Sequence, residues 1–344
     1  MAAFIGLDLA KHVFQVHGTD GIGNPVLRKR LRRSELTRFF ARLSPCVVGI
    51  EACGSGHHWA RELRRLGHDV RLMPPQYVRP YVKTNKHDAA DAEGICEAVR
   101  RPSMRFVPIK EADQQAALML HRSRELLVRQ RTMLANAVRS HAAEFGMVVP
   151  KGIQRLPELR TLIASAEPEL MPELAKSVLL SLAAQMEAIN IRILGLEKQL
   201  IAWHRASAAS QRLATIPGVG PITATAIVAT VADASRFASA RQFAAWIGLV
   251  PKQHSSGARE RLGGISKRGD GYLRRLLVHG ARAVIRWQRR LNARPLPWLA
   301  GLLGRRHVNV AAAALANKNA RIAWALLTRH ENYVPARQLL LAGQ

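Results

Sequence analysis

The sequence predicts a mixed α/β domain first, long helices in the middle, and a small, mainly helical unit at the end. Three observations carry this. Residues 1–105 alternate short apolar runs with helical stretches. Residues 111–208 lose every strand pattern and carry heptad-like spacings of Leu, Ala and Ile. From residue 211 onward, helices punctuated by Gly and Pro return.

Taken in order, "AFIGLDL" (3–9) is an apolar strand carrying one acid, Asp8. "HVFQVHG" (12–18) and "PVLRKRL" (25–31) are two more strands, and the intervening "TDGIGN" has the composition of a hairpin turn. Residues 35–43 read as a helix with Ser34 as N-cap. "CVVGIEA" (46–52) is a buried strand that ends at a second acid, Glu51. "HHWARELRRLG" (57–67) is helical and stops at Gly67. "DVRLM" (69–73) is a strand, and "PPQYVRP" (74–80) reads as a loop because three prolines oppose a regular element. "HDAADAEGICEAVRR" (87–101) is a helix. Connections after residue 35 are expected to be right-handed crossovers.

The middle holds two long helical stretches separated by "GMVVPKGIQRLPELR", with Gly146, Pro150, Gly152 and Pro157. Intramolecular packing explains such stretches. The basic run "HRSRELLVRQR" (121–131) also fits a dimer or an RNA contact. The last unit opens with "RLATIPGVGPITATAIVATV", passes a Gly/Ser/basic stretch (252–271) and ends in helices near 330. The tail "VPARQLLLAGQ" is expected to be loosely held.

Charge narrows the function. Lys and Arg number 52 against 24 Asp and Glu, a net charge of +28. Such a field serves a protein that neutralises phosphates and releases their counterions. The longest unbroken apolar stretch, "ITATAIVATVA", falls short of the ~20 residues of a membrane span, so no membrane partner is expected. No signal sequence is expected ahead of Asp8. Cys46, Cys53 and Cys96 form neither a metal spacing nor an even disulfide set. A reduced, cytoplasmic, nucleoid-associated protein is the expectation.

The strand-end acids suggest chemistry. Neighbouring strand ends of an open α/β sheet meet along one edge, so Asp8 and Glu51 can converge there. Asp88 and Asp91 sit at i and i+3 and share a helix face. Four converging carboxylates repel unless their pKa values shift or cations bind. Oxygen-only ligands select Mg²⁺ or Mn²⁺. A plain solvated face also explains Asp88 and Asp91, Asp88 also fits a helix N-cap, and Glu93 and Glu97 are rival ligands.

In the last unit, "IPGVGPITATAI" is similar to a helix-hairpin-helix turn, where Gly218 and Gly220 let backbone approach a phosphate; a plain helix connection fits as well. Between Lys252 and Arg290 lie eleven Lys/Arg and only two acids, Glu260 and Asp270. Lys252, Arg259, Arg261, Lys267, Arg268, Arg274 and Arg275 are the phosphate-contact candidates. The aromatics Trp246 and Tyr272 are assigned to the core.

"FIGLDLAK", "GIEACGSG" and "NKHDAADA" resemble the RuvC-like domain of DEDD-type insertion-sequence transposases. "LATIPGVGPITA", "FAAWIGLVPKQHSSGARERLGGISKRGDGYLRRLLVHGARAV" and "NKNARIAWALL" resemble their C-terminal transposase domain. The family is that numbered one-ten, in its eleven-eleven branch, related to pilin-gene DNA invertases. The resemblance implies an RNase-H-like catalytic domain over 1–108, a coiled-coil region over 109–208, a transposase domain over 209–332, and a tail over 333–344. It implies Mg²⁺ (or Mn²⁺) held by Asp8, Glu51, Asp88 and Asp91. It implies a nucleophilic serine in "HSSG", matched by Ser256, with Ser255 adjacent. It further implies donor and target DNA, a structured guide RNA from the element, and dimers that join into tetramers sharing acids and serine between subunits.

Three functions compete. One is a recombinase in which Ser256 joins DNA covalently. Another is a RuvC-like Mg²⁺-dependent nuclease in which water attacks. The third is a non-catalytic nucleic-acid scaffold, weakened by the cost of idle charges on apolar strands.

Overall fold

The computed structural model describes residues 1–82, 88–254, 261–290 and 297–334. The chain forms two compact units, Met1–Asp113 and Gln114–Gln344.

The first unit is built on five strands, β1 (Phe4–Leu9), β2 (Val13–Thr19), β3 (Pro25–Arg32), β4 (Val47–Glu51) and β5 (Asp69–Met73), in the order β3-β2-β1-β4-β5. β3-β2-β1 is an antiparallel meander, and β1-β4-β5 run parallel. Helices α1 (Leu36–Phe40), α2 (Gly56–Arg65), α3 (Pro75–Val78) and α4 (Asp88–Val99) complete it.

Strand alternation sorts side chains onto two faces. Ile5, Leu7, Phe14, Val16, Leu31, Val48, Ile50 and Leu72 point one way and pack with Leu36, Phe40, Trp59 and Leu63 of α1 and α2. Phe4, Val47 and Met73 point the other way and pack with Ile95, Ala98 and Val99 of α4. Both faces of the central strands are thereby covered, which is why those strands read as continuous apolar runs.

Two local expectations are corrected. Residues 74–80 are not an irregular loop: Pro75 opens α3, and Pro80 lies in a 3₁₀ turn, Arg79–Tyr81. Proline's missing N–H costs nothing in a first helical turn. Ser34 is not an N-cap. It lies inside a 3₁₀ turn, Arg33–Glu35, where Glu35 accepts the Arg32 N–H at 2.7 Å, and the helix that follows ends at Phe40.

The second unit begins in α5 (Ala112–Ala143), which starts just before the boundary between the units. Then come α6 (Leu156–Ala164), α7 (Glu173–Ala206), α8 (Ala208–Ala214), α9 (Pro221–Thr230) and α10 (Ala240–Ile247). A two-stranded ladder of β6 (Pro251–Gln253) and β7 (Leu262–Ile265) follows, unforeseen within the Gly/Ser/basic stretch. The unit closes with α11 (Gly271–Arg290), α12 (Pro297–Arg305) and α13 (Val308–Arg329). Apart from Tyr333 and Val334, the tail lies outside the described residues.

Arg124 of α5 donates to Glu197 of α7 at 2.8 Å, and Arg131 donates to Asn190 at 2.6 Å. Among the described residues, α7 is long and apolar enough to cross a membrane by length and composition, with a mean hydropathy of 1.3 over its best window. Length and composition do not make it a span: α7 carries Lys176, Glu187, Arg192, Glu197 and Lys198 among its apolar residues, and Glu197 is paired with Arg124. Trp246 is also not a core residue. It is 37% exposed and caps Phe237 and Phe243 at ring distances of 5.3 and 5.8 Å.

Candidate active site

The site grows from two glycines. Gly6 and Gly49 are register partners across the parallel β1–β4 ladder. A Cβ on Gly6 would lie 2.1 Å from the Ala92 carbonyl and 2.4 Å from the Cys96 nitrogen. A Cβ on Gly49 would lie 2.8 Å from the Val99 Cβ. The glycines therefore let α4 lie directly on the sheet. Cys96 sits on β1 as well, its Sγ 3.6 Å from the Phe4 carbonyl.

Asp8 follows Gly6 by two residues and Glu51 follows Gly49 by two. Both acids thus point to the α4 face, one rung beyond the glycines. α4 lies with Cys96 beside Phe4 and Ala92 beside Gly6, so its first turn, with Asp88 and Asp91, comes over Asp8. Carboxylate oxygens of Asp8, Asp88 and Asp91 lie within 4.8 Å of one another. Asp8 and Asp91 are half-buried and Asp88 is exposed. Glu51 stands outside that set yet close enough to act on Asp8 electrostatically.

The Asp8 carboxyl is pushed up from the ordinary 3.8 to about 6. Burial is the main cause, followed by the negative charges of Asp91, Asp88 and Glu51, while the Leu9 N–H opposes the rise. Asp88 is the first residue of α4, rather than the residue before it, so the helix N-terminus offsets part of the repulsion. The rival Glu97 is engaged elsewhere, by Arg100 at 3.6 Å and by Arg101. Glu93 is not part of the three-carboxylate set.

The donor set fits a hard divalent cation. It is all oxygen, and it carries more negative charge than a half-buried site tolerates alone. Oxygens around Mg²⁺ at ~2.1 Å lie roughly 3–4 Å apart, within a small side-chain adjustment of the observed spacing. Asp8, Asp88 and Asp91 would hold such an ion, with Glu51 beside them.

Comparison with known proteins bears on the family. Residues 5–146 match the transposase family model DEDD_Tnp_IS110. Residues 210–294 match the model described as "Transposase IS116/IS110/IS902 family". The chain is 53% identical over 332 residues to a "Probable family 20 transposase" of Pseudomonas aeruginosa, covering 96% of this chain and 98% of that one. The chain belongs to the IS110/IS116 family of insertion-sequence transposases. The transposase is also 44% identical to that of element IS1328 of Yersinia enterocolitica, over 94% of this chain and 96% of the relative. It is 43% identical to that of element IS1111A of Coxiella burnetii, over 96% and 90%.

The nucleophile and nucleic-acid candidates of the transposase fall into four groups. Ser255, Ser256 and Arg259 lie outside the described residues. They follow His254, whose N–H donates to the Arg261 carbonyl at 2.9 Å. Lys252, Arg261, Lys267 and Arg268 are exposed around the β6–β7 ladder, and Lys267 has a left-handed φ of 56°. Arg274 and Arg275 have protein partners instead. Arg274 donates to the carbonyls of Ile247 at 2.8 Å and Arg268 at 3.2 Å, and Arg275 pairs with Glu125. Gly220 caps α9 beside open space, whereas Gly218, with φ 87°, packs against Gly280 of α11. A Cβ on Gly280 would lie 1.8 Å from the Gly218 carbonyl oxygen, so this pair serves helix packing.

Sequence reasoning missed Gly6, Gly49 and Cys96, which seat α4. The signal was present as "GLD" and "GIE", a glycine two residues ahead of each acid.

Proposed function

We propose that the transposase cuts and rejoins DNA at Asp8, Glu51, Asp88 and Asp91, with Ser256 as the nucleophile. The observation that carries the reading is the convergence of Asp8 with Asp88 and Asp91, eighty residues apart in sequence, in a member of a transposase family. A divalent cation, when bound, supplies positive charge to the phosphate oxygens. The carboxylates orient that charge, and the half-buried floor around Asp8 limits water.

In the proposed step, the Ser256 hydroxyl oxygen bonds to the scissile phosphorus and the bond to one sugar oxygen breaks. The serine proton leaves with that sugar oxygen, so a phosphoserine ester replaces a phosphodiester with no net hydrolysis. Attack by a free DNA hydroxyl reverses the exchange and restores the serine. A serine needs help to lose its proton, and no histidine–carboxylate pair surrounds Ser256 in sequence, which favours activation at the acids of another subunit. Ser255 is the alternative nucleophile. Lys252, Arg259, Arg261, Lys267 and Arg268 contact phosphates in this scheme, with Gly220 at the α9 N-terminus.

We further propose a structured RNA from the element as guide, kinship with pilin-gene invertases and the eleven-eleven branch, and dimers joining into tetramers. Exposed Met119, Leu126 and Met133, seven residues apart on α5, support helix pairing between copies.

Incubation with element-end DNA, RNA transcribed from the element's non-coding end and Mg²⁺, followed by denaturation, tests the mechanism. Protein covalently attached to DNA is expected, absent in Ser256→Ala and present in Ser255→Ala. Cut DNA with no attached protein would replace this reading with a water-attacking nuclease. Sequencing of co-purified nucleic acid tests the guide: a discrete RNA from beside the gene is expected, and random cellular RNA would refute it.

A further inference from the structure

Strand register places a second group of charges on the acid-bearing face. Asp8 pairs with Gln15 across β1–β2, and Gln15 pairs with Arg30 across β2–β3. Directly opposed residues share a face, so Arg30 stands in the same rung as Asp8, two strands away, or roughly 9–10 Å between chain axes. On the same face the rung behind runs from Gly6 through His17 to Arg28, and Val13 pairs with Arg32 on the other side. Arg28, Arg30 and Arg32 therefore form a row at ~7 Å intervals along β3. The intervening residues behave oppositely: Leu31 is buried in the core and Lys29 lies over the Phe39 ring at 5.1 Å.

Three further facts bear on what the row does. All three arginines are exposed, and α4, which covers β1, β2 and β4, does not extend over β3. None of the three has an ion-pair partner among the described residues. β3 is also an edge strand. Charge on an edge deters strand-to-strand aggregation, but that purpose does not require all the arginines to flank the acids on one face. A strand of nucleic acid with its scissile phosphate at Asp8 has neighbouring phosphates within reach of this row.

We propose that Arg28, Arg30 and Arg32 form a phosphate-backbone track that holds the DNA strand beside the scissile phosphate. This rests on the proposed DNA cleavage at Asp8. The row binds the backbone without reading bases, so it sets where the strand lies rather than which sequence is chosen.

The test compares the full chain with Arg28→Gln/Arg30→Gln/Arg32→Gln, with the single variant Arg30→Gln, and with the triple lysine variant. Binding of a labelled element-end duplex, with RNA from the element's non-coding end present, is titrated at several salt concentrations, and cleavage is followed in parallel. Each lost phosphate contact lowers the slope of log K against log salt by about 0.9. The triple glutamine variant is therefore expected to lose about 2–3 from the slope, and Arg30→Gln about 0.9, with slower cleavage. The lysine variant is expected to retain the slope. An unchanged slope in Arg30→Gln and the triple variant, with cleavage at the wild-type rate, overturns the track alone. A slope lost on a guide RNA but kept on DNA also overturns it. Failure of the wild-type chain to bind or cut DNA overturns the cleavage reading and the track together.

Discussion

Gly6 and Gly49 face one another across the β1–β4 ladder, and α4 rests on both. The contact fixes how far the first turn of α4 stands from Asp8. Substitution Gly6→Ala puts a methyl group 2.1 Å from the Ala92 carbonyl, a backbone atom that cannot swing aside. We expect a loss of about 1–3 kcal/mol in denaturant unfolding, typical of overpacking, together with weaker divalent-ion binding as α4 lifts. Wild-type ion affinity in a folded Gly6→Ala protein would refute the link between glycine and site.

Asp8 makes the ion-free first unit sensitive to pH. Its folded pKa, about 6, is above the ordinary 3.8. The folded state therefore binds the proton more tightly, and the contribution to stability is present below pH 4 and lost as pH rises through 6. At pH 8 the ionised carboxylate costs less than the ~3 kcal/mol of the full shift, because solvent screens its exposed part. Asp8→Asn is expected to raise the ion-free unfolding midpoint at pH 8, leave it little changed at pH 4, and abolish DNA processing. A lower midpoint at pH 8 would contradict the assigned repulsion.

Divalent cations should relieve the same repulsion. Addition of Mg²⁺ or Mn²⁺ is expected to raise the unfolding temperature far more at pH 8 than at pH 5, where Asp8 is largely protonated. At a hundredfold excess over Kd the gain is about 2.7 kcal/mol. Asp88→Asn/Asp91→Asn should remove most of it. An equal shift in that double variant would place the ion elsewhere.

The second unit should show the opposite pH trend. His121 is buried, with Nδ1 3.0 Å from the Tyr272 hydroxyl and Nε2 3.1 Å from the Thr225 hydroxyl. Thr225 donates to the Pro221 carbonyl at 2.8 Å, so it accepts from Nε2–H, and Nδ1 accepts from Tyr272. Burial, aided by Arg124, pushes His121 down to about 4. Its contribution, about 3 kcal/mol, is present above pH 6.5 and lost as pH falls toward 4. Tyr272→Phe orphans Nδ1 at a cost of about 1–3 kcal/mol. Calorimetry of the wild-type chain and of Tyr272→Phe against pH checks the sign.

Assembly gives a further test. Met119 and Met133 are 64% and 70% exposed, with Leu126 between them on the same stripe of α5. Their replacement by Glu is expected to shift the mass in light scattering toward the monomer. A monomeric wild-type chain, with and without nucleic acid, would refute helix pairing.

Much of the first unit was legible because its signals are local. Short apolar and alternating runs marked all five strands, and i, i+3 spacing put Asp88 and Asp91 on one helix face. Local rules failed where context competes. Prolines at 75 and 80 proved compatible with helical turns, and Ser34 gave way to Glu35, whose longer carboxylate reaches the Arg32 N–H. Trp246 was assigned inward by composition, but Gly248 and Gly269 bring backbone of the 267–270 turn against residues 246–248, and the ring is left at the surface.

The sequence by itself determined the charge of the chain, the order along the chain of the five strands of the first unit, and the parity that puts Gly6 with Asp8 and Gly49 with Glu51. Only the tertiary structure decided that β1 lies between β2 and β4, that α4 crosses their glycines, and that Asp8 thereby meets Asp88, Asp91 and the rung of Arg30. The physical reason is range. Alternation along a strand follows from backbone geometry two residues at a time, whereas strand order and helix placement depend on packing between segments as much as ninety residues apart.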